Sequence, residues 1–123
     1  AYTSAGEKVL TSDRYWSPYN IIASEIGREI TTYKLFDDDF KFNGDSFEQA
    51  LSEMFKAQEQ ALVIVNTPAH NPTGYTLSEE DWDKLISVVN KFPKKKVVIL
   101  IDLSLIHSLF GFCRRRQRVQ AVL

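Results

Sequence analysis

The chain has 123 residues, 44% of them hydrophobic and 25% charged, with a formal net charge of −1. That length suits one soluble domain, and the near-neutral balance excludes a partner recruited by bulk charge, whether nucleic acid or an anionic membrane. The single cysteine, Cys113, excludes an internal disulfide and suits a reducing, cytoplasmic setting, and no apolar run approaches the ~18 residues of a membrane span.

The first residues, Ala1-Tyr-Thr-Ser-Ala-Gly6, have neither a basic nor an apolar signal region and no initiator methionine, as in a fragment or a processed chain. Lys8-Val-Leu-Thr11 reads as a short strand. A helix follows, with Ser17 as its expected N-cap, Pro18 at its first position and Gly27 placed for the left-handed residue that ends it. Arg28–Phe36, rich in β-branched and aromatic residues, reads as a strand. Asp37-Asp-Asp39 through Asn43-Gly44 is a turn-rich loop; it lacks the ligand ladder of a calcium site and reads as solvated.

The second helix is expected to begin at Asp45, with Asp45 and Glu48 at capping-box spacing, and to bury Phe47, Leu51, Met54 and Phe55. Ala61-Leu-Val-Ile-Val65 is a strand, and Asn66–Gly74 a loop. Ser78-Glu-Glu-Asp81 opens a third helix whose acidic first turn suits the helix dipole. Leu77 and Trp82 have staple spacing, and Trp82, Leu85, Ile86 and Val89 form the expected buried stripe. Pro93 stops the helix. Lys94-Lys-Lys96 leads into Val97-Val-Ile-Leu-Ile101, closed by Asp102. From Leu103 no period is legible, and Cys113-Arg-Arg-Arg-Gln-Arg118 is a basic cluster that reads as a solvated tail. Strands alternating with helices predict an α/β fold, a three-layer sandwich around a mostly parallel sheet.

Two of these strands, Ala61–Val65 and Val97–Ile101, are continuous β-branched runs, as in strands buried on both faces. In such sheets ligands bind beyond the carboxyl ends of the strands. Here those ends carry His70, Asn71 and Asp102. A cis Asn71–Pro72 bond would make a tight turn able to aim the Asn71 amide at a ligand oxygen, although Asn-Pro-Thr-Gly is also ordinary turn composition. Asp102 can hold a metal, a phosphate-bound magnesium or a protonated nitrogen heterocycle, the last because ion pairing favours both charged forms; it can also simply cap the next turn. Trp16, in the loop Arg14-Tyr-Trp-Ser17, can stack on a planar cofactor or serve the core. His70 and His107 have no metal-ligand spacing with Cys113 or with acidic residues.

Taken together, Gly6-Glu-Lys-Val-Leu-Thr11, Tyr15-Trp-Ser-Pro-Tyr19, Phe40-Lys-Phe-Asn43 and His70-Asn-Pro-Thr-Gly74, with Asp102 closing a later strand, resemble the fold-type-I pyridoxal 5′-phosphate (PLP) aminotransferases of class I/II, the aspartate and aromatic type. The resemblance covers most of residues 1–102, as part of the PLP-binding large domain, and leaves 103–123 as a divergent tail. It implies PLP as cofactor, amino acid and 2-oxo acid substrates, and a homodimer when complete. It also implies that Trp16 would stack on the pyridine ring, Asn71 would hydrogen-bond its 3′ oxygen and Asp102 would pair with its nitrogen.

Two departures stand out. Leu105 occupies the position where the family usually has a tyrosine, and no residue matches the Schiff-base lysine. The chain alone is therefore expected to be inactive. Two alternatives remain at this level. One is a nucleotide-binding α/β domain, for which the phosphate-loop pattern is missing. The other is a non-catalytic interaction module.

Overall fold

The alternation of apolar runs with amphipathic stretches is realised in the computed structural model, which describes residues 4–103 and the backbone of 120–121. The elements are β1 (Lys8–Ser12), α1 (Pro18–Glu25), β2 (Glu29–Tyr33), α2 (Gly44–Ala57), β3 (Gln60–Asn66), α3 (Glu79–Asn90), β4 (Lys96–Asp102) and β5 (Gln120–Ala121). Strand order is β2-β1-β3-β4-β5, with β1 to β4 parallel and β5 antiparallel to β4 at Ile99 and Leu100. Leu105, His107, Cys113 and the arginine cluster lie outside the described residues.

The first crossover runs from β1 outward to β2, and the next two run the other way. Right-handed crossovers in opposite directions place their helices on opposite faces. So α1 lies on one face, while α2 and α3 pack together on the other. This is the expected three-layer arrangement. The main core forms under α2 and α3, where Phe42, Phe47, Leu51 and Leu85 meet Leu10, Ala61, Val63, Val97 and Ile99. The rings of Tyr33 and Phe47 meet edge to face with centroids 5.1 Å apart, and those of Phe42 and Phe47 meet at a tilt, 5.8 Å apart.

Helix ends follow local chemistry, with two corrections. Ser17 stands at the N-cap position but does not cap with its side chain: its backbone is already helical (φ −52°, ψ −31°) and its side chain makes no capping bond. The carbonyls of Trp16 and Ser17 take the first N–H groups instead, those of Tyr19 and Asn20. At the other end Gly27, at φ +65°, does close α1 as expected. The N–H groups of Arg28 and Gly27 return to the carbonyls of Ala23 and Ser24, a Schellman arrangement.

The cap of α2 is Asn43, not Asp45. The Asn43 side chain accepts from the Ser46 N–H at 2.9 Å, and Asp45 sits in the first turn, where its charge still faces the dipole. The buried stripe of α3 is Leu85 and Val88, flanked by Trp82 and Val89. Ile86, expected to be inside, is 38% exposed, because one residue beyond Leu85 turns it ~100° away from the core.

The turn after β2 is held by Asp37, whose Oδ1 accepts from the N–H groups of Asp39 and Lys41 at 2.9 Å. This closure puts Phe40 in the left-handed region at φ 58° with its ring 77% exposed. A bulky residue is costly there and gains little from burial. Phe40→Asn is expected to raise stability by about 0.5–1 kcal/mol and Phe40→Val to lower it by a similar amount. Thermal midpoints moving in opposite directions are the check.

Candidate functional site

Between β1 and β3 the chain direction reverses, since β1 leads out to β2 and β3 leads the other way to β4. The carboxyl edge at such a switch point opens a crevice between diverging loops. Register places Asn66 and Asp102 side by side there, as the last paired residues of β3 and β4.

The segment after β1 brings Trp16 and Tyr19 to this edge. Trp16 is 43% exposed, and its ring meets the edge of Tyr19 at 5.7 Å. Tyr19 is buried, and its hydroxyl donates to Asp102 Oδ2. Burial and then the Asp102 carboxylate raise the Tyr19 phenol well above its ordinary value, so it stays a neutral donor.

The loop after β3 brings Asn71. Its N–H donates to Asn66 Oδ1 at 2.7 Å, and Asn66 Nδ2 donates to the Asp102 carbonyl at 3.3 Å. Trp16, Asp102 and Asn71 are thus joined in one chain of contacts through Tyr19 and Asn66. Among the described residues the Asn71 side-chain amide makes no hydrogen bond. The Asn71–Pro72 bond is cis, and so is Thr67–Pro68.

His70 does not face this edge as a free imidazole. It is buried between Ser12 Oγ, 3.0 Å from Nε2, and Thr73 Oγ1, 2.7 Å from Nδ1. Burial lowers its pKa, with Asp13 opposing, so the ring is held neutral. The His70 backbone N–H donates to the Tyr75 carbonyl, and the His70 backbone carbonyl accepts from the Gly74 N–H. The histidine braces the loop that presents Asn71.

Tyr75 and Asp81 tie the loop to α3. The Tyr75 hydroxyl donates to Asp81 Oδ2 at 2.6 Å, and the Ser78 N–H donates to the same oxygen at 3.0 Å. Burial and the bond to Asp81 push the Tyr75 phenol up to about 12.

Two hollows lie elsewhere. One is at the amino edge of the sheet between β1, β2 and α2, and the other is beside the start of α2 and against α3.

The sequence singled out Trp16, Asn71 and Asp102, which the structure brings to one sheet edge, but not Tyr19 and Asn66, which connect them there. The available signal was positional. Asn66 closes a buried strand beside the one that Asp102 closes, and Tyr19 sits three residues after Trp16, one helical turn away.

A model of the family "Aminotransferase class I and II" matches residues 1–121, further than the resemblance read from individual residues. Over 81 residues the chain is 30% identical to the aromatic-amino-acid aminotransferase of Escherichia coli (strain K12), covering 66% of this chain and 20% of that protein. Over 74 residues it is 31% identical to the mitochondrial aspartate aminotransferase of Xenopus tropicalis, covering 60% and 17%. Among solved structures, an aminotransferase from Anaerococcus prevotii DSM 20548 superposes with a TM-score of 0.78 at 36% identity, over 84% of this chain and 26% of that one. The chain therefore spans about a fifth of the length of these curated relatives.

Proposed function

The chain belongs to the aminotransferase class I and II family, and from that premise we propose that it carries the ring-holding part of a PLP enzyme. The complete protein, on this reading, moves an amino group between an amino acid of aspartate or aromatic type and a 2-oxo acid. A cytoplasmic homodimer belongs to the same proposal. The nucleotide-binding alternative gains no support from the comparisons.

The observation that carries the reading is the chain of contacts at one sheet edge, which joins Trp16 to the Asp102 carboxylate through Tyr19 and the Asp102 backbone to the Asn71 backbone through Asn66. These residues fit a flat, polar heterocycle. When bound, PLP supplies an electron sink for the charge left at an amino acid Cα. Asp102 would accept from the protonated ring nitrogen and hold that proton in place by charge pairing. Tyr19, donating to Oδ2, orients the carboxylate and offsets its burial. Asn71 would donate to the 3′ oxygen with the amide that is otherwise unengaged. Trp16 would lie against one ring face and keep water from it.

The test uses pyridoxine 5′-phosphate, which has no aldehyde and cannot react with surface lysines. Titrated into the purified chain, it should quench tryptophan emission saturably. Trp16→Phe should remove the quench, and Asp102→Ala should weaken binding by about tenfold or more, the loss of a charge-assisted hydrogen bond. With PLP itself, binding without turnover is the expected result. A strictly linear, unsaturable response in the wild-type chain, equal to that of Asp102→Ala, would overturn the proposal.

A further inference from the structure

Asn66 lies outside any direct role in that reading, yet it touches both halves of the site. It is 8% exposed, at the last paired position of β3, with Asp102 as its partner on β4. Its two amide atoms work in opposite directions. Oδ1 accepts from the Asn71 N–H at 2.7 Å, and Nδ2 donates to the Asp102 carbonyl at 3.3 Å. A single planar group thus spans the gap between the loop after β3 and the end of β4. Asn71 and Asp102 are otherwise carried by different segments, and Asn71 belongs to a loop.

We propose that Asn66 is a positioning residue that sets the separation of Asn71 and Asp102, so that both can meet one heterocycle at once. This rests on the reading of Asn71 and Asp102 as ring-binding groups.

An amide is the side chain this place requires. Aspartate would keep the acceptor for Asn71 but lose the donor, and would put a second carboxylate beside Asp102. Alanine would lose both bonds, leaving Asn71 N–H without its partner and the loop free to shift. A displacement of even ~1 Å in a supporting group is enough to spoil a two-point contact.

A second buried amide supplies the control. Gln58 sits at the opposite, amino edge of the sheet, where it accepts from Lys8 N–H at 2.9 Å and donates to the carbonyls of Lys8 and Gln60. It bridges backbone groups as Asn66 does but lies far from the candidate site.

The experiment compares Asn66→Ala, Asn66→Asp and Gln58→Ala in the full chain by amide hydrogen exchange and by pyridoxine 5′-phosphate titration. Asn66→Ala should speed exchange of the Asn71 N–H by about tenfold or more while β3 interior amides such as Val63 keep their protection, and should weaken binding about tenfold, the scale of one or two lost hydrogen bonds. Asn66→Asp should keep Asn71 protected yet bind as poorly. Gln58→Ala should destabilise the fold but leave affinity within about twofold of wild type, as a distant and independent site does.

Unchanged Asn71 exchange in Asn66→Ala would overturn the inference. So would equal losses of affinity in Asn66→Ala and Gln58→Ala. Should Asn66→Ala not fold, Asn66→Asp decides the point, since wild-type affinity there would also sink the inference. Absence of any saturable quench in the wild-type chain is a different failure: it would remove the cofactor reading, while the exchange data would still decide whether Asn66 ties Asn71 in place.

Discussion

Phe47→Ala is expected to cost about 3–5 kcal/mol, a large share of the roughly 5–15 kcal/mol that stabilises an ordinary domain. Phe47 is fully buried and sits where α2 meets the sheet. Its ring packs edge to face on Tyr33 and tilted on Phe42, so alanine removes both the buried area and two aromatic contacts. The cavity would lie between β2 and α2, and neither neighbour can fill it, since each is fixed by its own element. Phe47→Leu keeps most of the volume and should cost less than about 1.5 kcal/mol. Urea unfolding followed by circular dichroism separates the outcomes. A small change in midpoint for the alanine variant would show that the core does not depend on this contact.

Asp81→Asn is the second large expectation. The Asp81 carboxylate is 2% exposed and closes a capping box with Ser78 while accepting the Tyr75 hydroxyl. Burial alone would raise its pKa. The hydrogen bonds from Tyr75 and Ser78, with the charge of Lys84, outweigh burial and leave it below its ordinary value. Asparagine keeps the shape and can offer its one oxygen to both donors, but it removes the negative charge that strengthens those bonds and puts an amide donor where the other oxygen was. The cost should be about 1.5–3 kcal/mol at neutral pH, the range for hydrogen bonds to a charged group.

The pH dependence has a definite sign. A carboxylate with a lowered folded pKa takes up protons more readily when unfolded. Its contribution is complete above about pH 4, the unfolded value, and drains away as pH falls through the folded one. The stability gap between wild type and Asp81→Asn should therefore narrow in acid. His70, also lowered, makes both proteins lose stability as pH falls below about 6.5, and that shared loss cancels in the comparison. A gap that stays constant down to pH 2 would show that Asp81 is not held as the charged form.

Much of this arrangement was readable in advance. The period of Phe47, Leu51 and Met54 identified the buried face of α2, because helical geometry repeats on a scale that local sequence displays. The β-branched runs 61–65 and 97–101 identified two strands of the sheet, but not covered on both sides as expected: Leu62 and Ile64 are half-buried and Leu100 is 40% exposed, because the face opposite α2 and α3 is only partly covered among the described residues. Asp102 stood out as a charge closing one of them. The helix starts were harder. At α2 the cap is Asn43, two residues before the expected Asp45, because the helical geometry already begins at Gly44. At Ser17 the chain had already entered helical geometry, so a suitable residue type had no open N–H to serve.

The sequence by itself determined the alternating elements, the apolar faces that bury them, and the residue types waiting at the strand ends, since each depends on neighbours within a few positions. Which of those residues meet was decided by tertiary structure alone. Strand order and register put Asn66 beside Asp102, and the helix after β1 reaches across to the same carboxylate through Tyr19. Hydrogen bonds between residues 36 and 83 positions apart are set by how strands pair and crossovers turn, and no local pattern encodes that choice.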